Sequence, residues 1–282
     1  MVTEVLVCLD GSTFAETILP YARAIARSVG AQLTLLRVAE HENEFTAGKK
    51  YVHGLAQRYR GLEGRFRAEG KVRRLEGTTA ATILKELKQN PGALAAITTH
   101  GHSGVVESLL GSVASSIIQG AGRPVLVYRP RVGGDQATRS RQATVQSVVV
   151  TLDGSEFSQK ILPFAAEMAK LLNANLQLVQ VLSANGSQPQ IASQLRDDVL
   201  ESSYLHRQAR EVQQKYEINA DWDVLHGNPA EAIIDYLKGR NNILLAMTTQ
   251  AHAGLERTFF GSVSSECLRH AGMPMLVYCP AI

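Results

Sequence analysis

VLVCLDGSTFAETILPYA at residues 5–22 returns as VVVTLDGSEFSQKILPFA at residues 148–165. An apolar run, Leu-Asp-Gly-Ser and Ile-Leu-Pro recur in the same order, 143 residues apart. Near the other end, RPVLVYRP at 123–130 returns as MPMLVYCP at 273–280, and LLGSVASSI returns as FFGSVSSEC, both 150 residues on. The chain is therefore a tandem duplication with seven extra residues inside the second copy. Repeats of this length are whole domains, because solenoid repeats are much shorter. The stretch between them, RVGGDQATRSRQAT at 131–144, is rich in Gly, Ser, Thr and charge and reads as a linker. Domains are expected at 1–133 and 145–282, joined through 134–144.

Within the first copy, residues 5–9 read as a strand and 14–29 as a helix stopped by Gly30. A strand at 32–38 follows. A long amphipathic helix at 44–69 then places Leu55, Tyr59, Leu62 and Phe66 on one side. Next come a strand at 72–75, a helix at 79–89 and a strand at 93–98. A helix from about Gly111 and a terminal strand at 125–128 complete the unit. This alternation predicts an α/β fold: in each half, a parallel five-stranded sheet with helices on both faces. Ligands of such sheets bind beyond the carboxyl ends of the strands, where the strand order reverses.

Composition narrows the function classes. With 45% hydrophobic and 20% charged residues, the chain has the balance of a folded globular protein. No apolar run reaches the length of a membrane span, and no basic segment followed by an apolar one opens the chain. A cytoplasmic protein without membrane association is expected. The net charge of +3 is too small to argue for nucleic acid. Its distribution says more: residues 1–133 carry 17 Lys and Arg against 11 Asp and Glu, whereas 145–282 carry 10 against 14. Such a split lets the halves attract one another or gives the first half a preference for an anion; drift of surface charge also produces it. Three cysteines, Cys8, Cys267 and Cys279, show no metal-ligand spacing, and Cys8 in its apolar run reads as a buried reduced thiol.

The strand ends carry Asp10-Gly11-Ser12, Val38-Ala39 and Thr98 to Ser112, matched in the second copy by Asp153-Gly154-Ser155, Val181-Leu182 and Thr248 to Ser262. A strand-end carboxylate accepts hydrogen bonds from a ribose or an adenine amino group. On Asp10 alone, a cap on the helix starting near Thr13 is the simpler reading. The stretch TTHGHSGVVESLLGS at 98–112 has glycines and a Gly-Ser at a helix start, but lacks the lysine of a Walker loop. Gly101 and Gly104 allow close backbone approach. Free amides at Gly111-Ser112-Val113, with the helix dipole, form an anion site without lysine. Ser112 adds a hydroxyl for phosphate or magnesium. The alternative is that Ser112 merely caps the helix and the glycines merely turn the chain. His100 and His102 have no third ligand in view, and a zinc site wants three or four. Thr99-His100-Gly101-His102 also mimics a nucleotidyltransferase signature, but that signature follows a first strand and this copy follows the fourth.

The strand-end Asp, the glycine spacing and the Pro-Val-Leu-Val close resemble the universal stress protein family, once per half and over nearly the whole chain. Nucleotide-binding members carry Gly, two residues, Gly, nine residues, Gly, then Ser or Thr. The first half matches with Thr98, Gly101 and Gly111-Ser112, departing at the first glycine only. The second half has Thr248, Ala251 and Gly261-Ser262, departing at two. The resemblance implies tandem Rossmann-like domains of the adenine nucleotide alpha-hydrolase-like kind. Their ligand would be ATP, AMP or ADP with Mg2+. It carries the nucleotide contacts onto Asp10, Val38, Thr98, Gly101, Gly111, Ser112 and Val113. In the second half they fall on Asp153, Val181, Thr248, Gly261, Ser262 and Val263.

The expected function is an ATP-binding, stress-response binding module. One rival is a slow ATPase of the same architecture, although no strong general base or arginine finger is legible. The other is an interaction protein that binds no nucleotide. Family members dimerise through their last strand, so the resemblance implies pairing of 125–128 with 275–278 inside one chain, and a homodimer is compatible with it. An exposed apolar edge invites such pairing.

Overall fold

The structure, a computed structural model, describes residues 2–61, 66–99, 110–130, 143–182, 191–250 and 260–280. The chain divides into two compact units between Thr144 and Val145. Each is α/β, with a parallel sheet and helices on both sides. No helix among the described residues is long and apolar enough to cross a membrane.

The first unit runs β1 (Glu4–Cys8), α1 (Leu19–Val29), β2 (Gln32–Ala39), α2 (Glu42–Gly61), β3 (Ala68–Arg74), α3 (Thr79–Gln89), β4 (Ala93–Thr98), α4 (Ser112–Gly120) and β5 (Val125–Tyr128). Its strands lie in the order β3-β2-β1-β4-β5, each pair parallel. The central strands are covered on both faces, which is why they read as near-continuous apolar runs. Val5, Val7, Leu33, Leu35 and Val127 are fully buried. Strand order reverses between β1 and β4, and this switch point fixes where a ligand fits.

Two element expectations need correction. The segment at 14–29 is not one helix: a 3-10 turn at Ala15–Ile18 precedes α1. Pro20 lies in the first turn of α1, where its missing N–H costs nothing, but its ring would clash inside a longer helix. The amphipathic helix expected to 69 stops at Gly61, and β3 starts at Ala68 rather than 72. Seven residues of β3 pair with β2, from Leu33–Ala68 to Ala39–Arg74. Gly70 lets the strand lie directly against α2: a Cβ there would sit 2.6 Å from the Val52 carbonyl carbon. Leu62 falls outside the described residues.

The second unit repeats the plan with β6 (Ser147–Leu152), α5 (Glu156–Gln159), α6 (Leu162–Leu172), β7 (Asn175–Leu182), α7 (Ile191–Tyr216) and β8 (Ala220–His226). It continues with α8 (Pro229–Leu237), β9 (Ile243–Thr248), α9 (Ser262–His270) and β10 (Met275–Tyr278). Its order is β10-β9-β6-β7-β8. The expected linker at 134–144 lies largely outside the described residues.

Under the outer strands the two units differ. In the first, Lys71 and Arg73 of β3 both bond Glu86 of α3, whose side chain is 9% exposed. Burial pushes the Glu86 carboxyl up, but the hydrogen bonds and charges of Arg73 and Lys71 outweigh it and leave it below its ordinary value. In the second unit the strand register puts Asp223 where Lys71 stands. Its Oδ2 accepts 2.5 Å from the hydroxyl of Tyr236 on α8 and 3.2 Å from Gln177 Nε2.

Candidate functional site

Strands β1, β2 and β4 end side by side at the switch point, and the helices that follow β3 and β4 begin above them. Between these ends the first unit holds a cavity of about 530 Å³. That is the size range of small-molecule sites. Leu9, Leu36, Ile83, Ile97 and Ile117 give it apolar walls, and Asp10, Arg37, Glu40, Glu44, Thr98, Thr99 and Ser112 supply polar groups. Six of the residues expected from sequence (Asp10, Val38, Thr98, Gly111, Ser112 and Val113) line this one cavity. Gly101 lies outside the described residues, as do Gly104, His100 and His102.

Asp10 does not cap the helix. Its Oδ1 accepts from the amide and hydroxyl of Ser12, at 2.9 and 2.6 Å, and Ser12 Oγ in turn accepts 3.0 Å from the Ala15 amide. The serine holds the turn, and Asp10 orients the serine. That leaves Asp10 Oδ2 buried and without a hydrogen-bond partner among the described residues. A buried, unpaired carboxylate oxygen is costly unless a donor arrives. Gly11, next in the chain, has φ +90°, and a Cβ there would lie 2.5 Å from Arg37 Nη1.

At the opposite wall, the Gly111 amide donates to the Thr99 carbonyl at 2.6 Å, which ties the start of α4 to the end of β4. Ser112 is not the cap of α4. Gly111 takes that position in extended conformation, and no side chain among the described residues caps the helix. The first backbone bond of this start runs from the Ser115 amide to the Gly111 carbonyl, at 3.0 Å. The amides of Ser112, Val113 and Ala114 precede it and point out of the helix end, the arrangement that attracts anions. Val113, 37% exposed, is the single large apolar side chain left open among the described residues.

Sequence reasoning missed four polar groups of the wall: Arg37, Glu40, Glu44 and Thr79. Arg37 was legible in principle, since it interrupts the apolar run LTLLRVA at the carboxyl end of β2. Its guanidinium lies 5.8 Å from the centre of the Tyr51 ring. Glu44 Oε2 accepts 3.0 Å from the Glu40 amide, and this backbone hydrogen bond holds the Glu44 carboxyl below its ordinary value. Cys8 also lines the cavity, and burial pushes its thiol up to about 12, so it stays neutral and unreactive.

In the second unit Asp153 Oδ1 likewise accepts from Ser155, at 3.0 Å from the amide and 2.5 Å from the hydroxyl, and Ser155 caps α5. Burial pushes the Asp153 carboxyl up, but hydrogen bonds from Ser155 and Ser158 outweigh it and hold the group below its ordinary value. Val181 lies in β7, Thr248 ends β9, and Gly261, Ser262 and Val263 open α9. The polar groups are spent differently here. The Gly261 amide donates 3.1 Å to Thr249 Oγ1, and the Ser264 hydroxyl bonds the same oxygen at 3.2 Å. Ala114 occupies the matching place in the first unit. Gln180 replaces Arg37; it is 4% exposed, with Oε1 unpartnered among the described residues. Ala251 and His252 lie outside the described residues. Among those described, no group of three His, Cys, Asp or Glu could hold a metal.

Comparison with known proteins agrees with this plan. A universal stress protein of Synechocystis sp. is 23% identical over 296 residues, spanning 98% of this chain and 99% of the relative. One from Mycolicibacterium smegmatis is 32% identical over 139 residues, 45% of this chain and 46% of the relative. The crystal structure of a universal stress protein from Archaeoglobus fulgidus superposes over 100% of both chains with a TM-score of 0.72 at 20% identity, which shows the shared fold. The model of the "Universal stress protein family" matches residues 1–129 and again 144–278. The chain belongs to the universal stress protein family, with the family's domain present twice in tandem.

Proposed function

We propose that the first unit binds an adenine nucleotide (ATP, or AMP or ADP) and that the protein acts as a nucleotide-dependent binding module in the stress response rather than as an enzyme. One observation carries this reading: a cavity of about 530 Å³ at the switch point has a buried, unpartnered carboxylate oxygen on one wall and an uncapped helix N-terminus on another. The first suits the donors of a ribose or an exocyclic amine. The second suits phosphate.

Magnesium fits the same arrangement in its usual manner, held mainly by phosphate oxygens with few protein ligands. The exposed hydroxyl of Ser112, on the cavity wall at the start of α4, is the protein group placed to contribute to it. The second unit binds more weakly in this reading. Gln180 stands in place of Arg37, Ser264 and Thr249 satisfy one another, and Ala251 adds a methyl where the sequence frame has glycine. We also propose that the terminal strands β5 and β10, each the outermost apolar strand of its unit, pair with one another.

The test is to denature the purified protein and examine the released small molecules by mass spectrometry, then to titrate the nucleotide-free chain. Co-purifying or titratable ATP, ADP or AMP is expected. Absence of both would overturn the reading, and sustained turnover of ATP would move the protein to the enzymes.

A further inference from the structure

The charges around the first unit's cavity are unevenly placed. Strand order β2-β1-β4 sets the three strand ends in a row, and neighbouring strands lie about 4.8 Å apart, so the β2 end and the β4 end are separated by roughly 10 Å. Arg37, Glu40 and Glu44 belong to the β2 end, Asp10 to the middle, and the uncapped start of α4 to the β4 end. An anion is drawn to the helix start and away from the carboxylates, so a bound nucleotide lies along this row with its phosphate at α4 and its base at β2. Only one cationic side chain, Arg37, is found in the described wall, against three carboxylates. No lysine or arginine occurs between Lys88 and Arg123, so the whole connection from β4 to α4 adds none.

Resting on the nucleotide reading above, we infer that without a divalent cation this site selects a nucleotide with a single phosphate, and that a triphosphate enters only when a metal ion neutralises it. The helix start offers backbone amides enough for one phosphate. Each further phosphate brings negative charge beside a wall whose described side chains already sum to negative and include no lysine. A pair of like charges about 10 Å apart in a partly wet cleft weakens binding about two- to fourfold. With two uncompensated carboxylates, AMP should therefore bind about tenfold or more tightly than ATP at low salt.

Arg37 sets the balance. Its guanidinium makes no hydrogen bond or ion pair among the described residues, and the second unit has the uncharged Gln180 in its place. It is a donor only, so it faces acceptors on the base end of the ligand.

Calorimetric titration of the full nucleotide-free chain with AMP, ADP and ATP, in EDTA and then in magnesium, reads this directly. The measurement is made at about pH 8. In EDTA, affinity should fall from AMP to ADP to ATP, and magnesium should restore ATP while changing AMP little. Glu44→Gln and Glu40→Gln should each raise metal-free ATP affinity at least about twofold and AMP affinity less. ATP binding in EDTA as tightly as AMP would overturn the inference while leaving the nucleotide reading intact. No binding of any nucleotide in either buffer would sink both.

Discussion

Replacing Gly11 and Gly154 by alanine, one at a time, separates what the turn requires from what the cavity requires. Both glycines have positive φ, +90° and +82°. A Cβ in that region costs about 1–2 kcal/mol. The stiffer unfolded chain returns about 0.4–1 kcal/mol, so each variant should lose about 1 kcal/mol net. The surroundings differ. At Gly154 the new methyl meets Gln180 Nε2 at 3.4 Å, an ordinary contact, whereas at Gly11 it would lie 2.5 Å from Arg37 Nη1. That nitrogen is the far end of a flexible side chain, so the guanidinium should swing aside with little loss of stability and leave its place in the cavity wall. Urea denaturation followed by far-ultraviolet circular dichroism measures both losses. The single tryptophan, Trp222 in β8, reports on the second unit, so its fluorescence transition should shift in Gly154→Ala. The two stabilities should agree within about 0.5 kcal/mol, while only Gly11→Ala weakens AMP binding, by about tenfold. A loss above about 3 kcal/mol in Gly11→Ala would show Arg37 to be a rigid strut rather than a movable cation. Unchanged AMP affinity would show that Arg37 does not face the ligand.

Gly111→Val should weaken nucleotide binding far more than it weakens the fold, and Ser112→Ala should cost about 1.5–3 kcal/mol of binding; wild-type affinity in Gly111→Val would mean that the phosphate lies elsewhere. Glu86→Gln should destabilise the first unit by about 1–3 kcal/mol near neutral pH. The folded carboxyl titrates below its ordinary value of 4.5, so its contribution is full above that value and is lost as the pH falls through the folded one. The penalty of the variant should shrink in acid, and a pH-independent penalty would refute the ion-pair account. Lysine at both Val125 and Val127 should expand the particle in small-angle scattering; an unchanged envelope with both units folded would refute pairing of the terminal strands.

The strands of the first copy were legible because each is an apolar run closed by a loop, and duplication supplied the runs twice; their order in the sheet is set by pairings between distant segments and came only with the structure. Boundaries were less legible. The periodicity that carried the long helix past Gly61 is local, whereas the start of β3 at Ala68 is set by pairing with β2, which no window of sequence contains. The lining of the candidate cavity was readable where polar groups sit at a strand end or a helix start, at Asp10, Thr98 and Ser112. Its details depended on who bonds whom: that Ser12 rather than Asp10 holds the first turn decides which carboxylate oxygen is left over. Arg37 was visible as a charge interrupting an apolar run, but lone charges at strand ends are common, and its place beside Gly11 came only with the structure.

The exchange of Lys71 and Glu86 for Asp223 and Tyr236 has a consequence for a chain that carries the same fold twice. Two similar halves emerging from one ribosome can trade pieces while folding, and such cross-assembly is a characteristic failure of repeated domains. Were β8 to settle against α3, Asp223 would meet Glu86, carboxylate against carboxylate in a covered place. Were β3 to settle under α8, Lys71 would meet a phenol in place of its anion. Each outer strand thus carries a key cut for its own helix, and the duplicated halves have become parts that no longer interchange.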